Sequence, residues 1–194
     1  MQPDSSLWSW FTSSDDVTAR SLTFAKGISV DGMIAAFGMD PAAAEPMTWS
    51  DAYQRFVEGV EHDFNDPPYY VRVADLGTWS VAFEDNQALW VHPRPAEWPQ
   101  LGLDVEVLVA TWTITTGTIF TAHFSGGLSI YDPWTSSDSD PDFLAQLAEA
   151  WTGLADDSSD LYEPTLLAVF TQALGIAPFT IEMARGPLMT ASRE

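Results

Sequence analysis

Twenty-five consecutive residues, Val107 to Tyr131, carry no Asp, Glu, Lys or Arg, in a chain of 194 residues of which 28 are acidic. An uncharged run of that length is long enough to cross a bilayer as a helix, so either lipid or a protein core must receive it. Its own residues decide between the two. Six threonines, His123 and the triplet Ser125-Gly126-Gly127 interrupt the apolar positions, and β-branched residues punctuated by glycine read as hairpin strands. The expected meander is Val105 to Ile114, Thr118 to Phe124 and Leu128 to Tyr131, turning at Thr115-Thr116-Gly117 and at Ser125-Gly126-Gly127. Apolar residues on both faces of the first of these strands give it a central position, covered on both sides.

The rest of the chain is acidic. Seven basic residues against 28 acids leave a formal net charge of −21 and a pI near 4.1. Phosphates repel such a molecule, which argues against nucleic acid and anionic membrane surfaces as direct partners. Leu, Ile, Val and Phe together still make up roughly a quarter of the residues, above the floor of about 20% below which high charge implies disorder. The chain contains no Cys, which excludes disulfides, thiolate metal sites and cysteine nucleophiles. Its N-terminus lacks the basic segment and long apolar run of a secretory signal, so the cytoplasm is the expected location.

Periodicity organises the flanks of the meander. Ser21 to Gly27 reads as a short extended segment, with a helix from Asp15 through Ala25 as the alternative. Ser29 caps a short helix with Asp31 in its first turn and Met33, Ile34 and Phe37 as its stripe, stopped by Gly38. A loop through Ala42, Ala43, Ala44 and Pro46 follows. Thr48 or Ser50 opens a longer helix in which Tyr53, Phe56, Val57, Val60 and Phe64 recur at helical spacing. The period then changes to two: Tyr69 to Ala74 and Thr78 to Glu84 read as paired strands, with Trp79, Val81 and Phe83 on one face. Glu84-Asp85-Asn86-Gln87 reads as a turn, and Ala88 to Val91 as a short edge strand. Asp140 with Pro141 starts one helix, and Pro164 to Leu174 forms another. The expected class is α+β, a mainly antiparallel sheet of about five to six strands with helices N-terminal and C-terminal to it. Residues 1–185 read as one domain and 186–194 as a flexible tail.

Two stretches carry a resemblance. Ser21 through Pro41, with Thr23-Phe24-Ala25-Lys26-Gly27 ahead of a short helix ending in Gly38-Met39-Asp40, and Leu76-Gly77-Thr78-Trp79 leading to Glu84, are similar to a family of actinobacterial proteins of unknown function. Tyr131-Asp132-Pro133 after a hairpin is similar too. The resemblance spans roughly residues 8 to 155 and rests on caps, turns and core positions. It implies a small acidic partner or an immunity-type protein, and it assigns no catalytic residue.

The residues themselves point away from familiar chemistry. Asp138, Asp140, Asp142 and Glu149 mimic calcium-loop spacing, but Phe143 stands where that loop needs Gly and Pro141 interrupts it. His62, His92 and His123 sit at no metal-ligand spacing. His123, Ser125 and Asp132 lack the elbow and oxyanion hole of a serine hydrolase. No catalytic residue, metal or cofactor is therefore expected. Of nine tryptophans, Trp79, Trp112 and Trp151 sit at core-like positions, while Trp90, Trp98 and Trp134 fall in turns and loops, where such an aromatic either packs its own loop or, beside acids, anchors a protein partner. The function expected from charge is a non-enzymatic acidic module that neutralises a basic protein, such as a toxin or nuclease, with a DNA mimic as a close variant. Its expected contact residues are Asp63, Asp66, Trp134, Asp138, Asp140 and Asp142. The alternative is a small-ligand protein or enzyme whose pocket between sheet and helices is lined by carboxylates and His123.

Overall fold

The computed structural model describes residues 4–13, 19–58, 69–85, 105–124, 127–131 and 159–192. Along the chain these form a 3-10 helix (Ser5–Thr12), β1 (Ala19–Lys26), α1 (Val30–Ala36), a 3-10 turn (Pro41–Ala43), β2 (Glu45–Met47) and α2 (Trp49–Phe56). There follow β3 (Tyr70–Asp75), β4 (Trp79–Asp85), β5 (Val107–Thr113), β6 (Gly117–Phe124) and β7 (Gly127–Tyr131). The last third supplies α3 (Ser159–Ala173), α4 (Ile181–Arg185) and β8 (Leu188–Ser192).

The eight strands make one sheet in the order β2-β8-β3-β4-β1-β5-β6-β7. Every neighbouring pair is antiparallel. The α+β class and the antiparallel sheet agree with the sequence reading; the strand count exceeds it. The additions are β2, expected as a loop, and β8, expected as a flexible tail. Local pattern hides both, because β2 has only three residues with a proline among them, and β8 is held by pairing Val71 with Ala191 and Arg72 with Thr190, far apart in sequence. Nor do the helices stand outside the strands: β1 precedes α1, β2 separates α1 from α2, and β8 follows α4.

The uncharged run becomes β5, β6 and β7, with Leu108, Ala110, Phe120 and Ala122 fully buried. On the face they share with Leu22, Phe24, Val81 and Phe83, the sheet packs against the N-terminal 3-10 helix through Trp8, Trp10 and Phe11 and against α3 through Leu166, Leu167 and Phe170. On the opposite face α1 lays Met33, Ile34, Ala36 and Phe37 against Val71, Val73 and Ala82. Ser29 caps α1 by accepting from the Gly32 backbone N–H at 3.1 Å, and Gly38, at φ 75°, takes the left-handed conformation that ends it. A reciprocal capping box between Thr48 and Asp51 starts α2. Tyr53, placed on the buried stripe by the sequence pattern, is 41% exposed; Ala52 is the buried residue of α2.

Candidate functional site

Among the described residues, the strongest concentration of buried polar chemistry lies where β3 begins and β4 ends. Glu84, read from sequence as the end of a strand and the start of a turn, and Asp85, read as turn, are the last two residues of β4, exposed 0% and 1%. Alternation along a strand sends them to opposite faces of the sheet. Two consecutive tyrosines on the neighbouring strand segment answer them. The Tyr69 hydroxyl lies 3.0 Å from Glu84 Oε1, and the Tyr70 hydroxyl donates to Asp85 Oδ1 at 2.9 Å.

On the Asp85 side two buried arginines converge. Arg20 stands directly across from Asp85 on β1, and Arg72 stands across from Phe83 on β3, one diagonal step from Asp85. Neither guanidinium is spent on the carboxylate alone. Arg20 Nη1 donates to the carbonyls of Trp10, Phe11 and Ser13 at 2.7, 3.0 and 2.5 Å, capping the C-terminal end of the 3-10 helix, and it lies against the rings of Trp10 and Trp112. Arg72 donates through Nη1 to the Ala184 carbonyl, and through Nη2 to those of Met47 at 3.0 Å and Gly186 at 2.7 Å. The two arginines thus fasten elements from both ends of the chain to the middle of the sheet. Burial raises the Asp85 pKa, while hydrogen bonding from Tyr70 and Trp49 and the charges of Arg72 and Arg20 oppose the rise. Burial likewise lowers the Arg72 pKa against the attraction of Asp85 and Tyr70.

The other face differs. Glu84 shares its row across the sheet with Val71, Ser21 and Thr111, and Ser21 Oγ lies 3.3 Å from Thr111 Oγ1. Desolvation pushes the Glu84 pKa up to about 8, the Tyr69 hydrogen bond pulling it down and the neighbouring Asp85 charge pushing it further up. A carboxyl with that pKa holds its proton at neutral pH.

A carboxylate pocket shared with His123 does not form around Glu84. His123 sits on the same face, but in the row of Val107, Ala25 and Ser80, four residues along and three strands across, roughly 20 Å away at ordinary strand spacings. Its Nδ1 is buried without a hydrogen-bond partner among the described residues. A third buried acid, Glu163 on α3, binds the Thr118 backbone N–H at 3.1 Å and its hydroxyl at 2.7 Å, tying that helix to the start of β6. Among the described residues no group of His, Asp and Glu has the arrangement of a metal site, and no helix is long and apolar enough to cross a membrane.

No family model, curated protein or solved structure matches this chain.

Asp63, Asp66, Trp134, Asp138, Asp140 and Asp142 lie outside the described residues, as do His62, His92, Trp90, Trp98, Trp151 and Glu149. Trp79 and Trp112 take the core positions expected of them, 1% and 6% exposed. Sequence reasoning passed over Arg20, Tyr69, Tyr70, Arg72 and Asp85. A signal was present: an arginine between valines in Val71-Arg72-Val73 is a charge on an apolar strand, and such a charge is buried only when it is partnered.

Proposed function

We propose that the chain is a non-enzymatic acidic binding module that engages a basic protein, as an inhibitor or immunity-type antagonist of a toxin or nuclease would. The observation that carries this reading is the disposition of charge. Asp4, Asp31, Asp40, Glu45, Asp51, Glu58, Asp75 and Glu182 are exposed, whereas Arg20 and Arg72 are buried. Of the exposed cations, Lys26 is held by Glu106 at 2.6 Å and Arg55 by Glu45, and Arg185 lies beside Glu182 in α4. Among the described residues, two basic side chains are buried and the other three each lie beside a carboxylate, while exposed acids outnumber exposed bases. Electrostatic steering by such a surface speeds encounter with a cationic cleft and supplies specificity through complementary pairs. The resemblance to small acidic actinobacterial proteins points the same way by analogy.

The test is capture of partners from lysate of the source cells on the immobilised chain, at low and at high salt, with mass spectrometry of what is retained. A single basic protein, held at low salt and lost at high salt, is the expected result. Charge reversal at Asp138, Asp140 and Asp142 or at Asp63 and Asp66 then weakens its binding and reduces the salt dependence. Retention of nothing at low salt, or of a partner indifferent to salt, would remove the electrostatic basis of the reading.

A further inference from the structure

On the Asp85 face, Trp10 Nε1, Arg72 Nε and Asp85 Oδ2 are each buried with no hydrogen-bond partner among the described residues. Their residues are 8%, 0% and 1% exposed. They belong to one neighbourhood. Arg72 is across from Phe83, and Asp85 follows Phe83 by two residues on the same face. The Trp10 ring lies edge-on to Phe83 with centroids 5.7 Å apart, and 5.9 Å from the Arg20 guanidinium that faces Asp85. Native proteins leave few buried polar atoms unsatisfied, because each gives up its bonds to water without replacing them. Three around one phenylalanine ask for a shared partner.

We propose that these atoms line an internal hydration site, in which one water molecule accepts from Trp10 Nε1 and Arg72 Nε and bonds Asp85 Oδ2. The chemistry selects water. The occupant must accept from two N–H groups and donate to a carboxyl oxygen, and water does both, its two lone pairs taking the N–H groups and one of its protons the oxygen. About three hydrogen bonds is the usual complement of a buried water. The site joins the 3-10 helix, through Trp10, to β3 and β4, so that this water completes the link that the Arg20 guanidinium makes through backbone carbonyls. It is independent of the acidic surface and of any partner bound there.

The test reads the water directly. In the full-length, nitrogen-labelled protein, nuclear Overhauser cross-peaks are recorded between the water resonance and the Trp10 Hε1 and Arg72 Hε protons. A long-lived water gives both protons cross-peaks with the sign of a slowly tumbling contact. Tyr70→Phe removes the hydroxyl proton that bonds Asp85 Oδ1, which would otherwise relay a false signal by exchange. Both cross-peaks persisting in that variant is the expected result. A cross-peak missing from either proton in the wild type, or lost in Tyr70→Phe, overturns the three-atom site.

Discussion

Glu84 and Asp85 are adjacent in sequence, equally buried and each within hydrogen-bonding distance of a tyrosine, yet the two faces of the sheet treat them differently. On one face the carboxyl meets two guanidiniums that also fasten distant parts of the chain. On the other it stands in a row of Val71, Ser21 and Thr111, with the Tyr69 hydroxyl opposing a desolvation that is the largest influence on both carboxyls. Burial raises the pKa of both; what differs is the field that opposes it, and alternation along a strand is enough to change those neighbours completely.

The largest effect is expected where the arginine side is broken. Arg72→Met strips three carbonyls of their donor and takes a counter-charge from Asp85, a loss of about 3–5 kcal/mol. Urea denaturation measures it, and a loss below about 1 kcal/mol would mean that the guanidinium is not the clamp its contacts describe.

The Glu84 side is sharpened by pH. Between about 4.5, the ordinary value, and about 8, the folded protein keeps a proton that the unfolded chain releases. Stability from this group is therefore full below the lower value, falls by about 1.4 kcal/mol per pH unit between the two, and levels off above the upper one. Glu84→Gln cannot lose that proton. Its denaturation free energy is expected to lack this slope and to exceed the wild type on the alkaline side.

Smaller changes separate the two tyrosines. Tyr69→Phe and Tyr70→Phe should each cost about 1 kcal/mol. Tyr69→Phe removes the contact that lowers the Glu84 pKa, so it shifts the end of the pH-dependent fall above about 8, whereas Tyr70→Phe, which raises the Asp85 pKa and weakens the charge that pushes Glu84 up, does not. Equal upward shifts in both variants would overturn that assignment. The smallest effect belongs to an exposed pair: Lys26→Met breaks the ion pair with Glu106, whose side chains are 48% and 40% exposed. A loss under about 1 kcal/mol, shrinking with salt, is expected by thermal denaturation at two ionic strengths.

Much of the fold was legible because its signals are local. The period of two in Trp79, Val81 and Phe83, and the cap at Ser29 with the stop at Gly38, lie within a few residues of what they determine. The polar centre was not, because its members, Arg20, Tyr70, Arg72 and Asp85, come from three strands whose neighbourhood exists only after pairing. Reading Glu84-Asp85 as a turn followed composition, in which paired acids mark solvent. Tertiary pairing overrode it by supplying a tyrosine for each and two arginines for one.

By itself the sequence determined the class of fold, the hairpin character of the uncharged run from Val107 to Tyr131 and the excess of acid over base, since these follow from periodicity and arithmetic along the chain. Only the tertiary structure decided that β8 enters the sheet between β2 and β3, that Arg20 and Arg72 are spent in the interior, and that adjacent carboxyls lie on opposite faces. The physical reason is that desolvation and Coulomb energy depend on distances across the sheet, and register sets those distances.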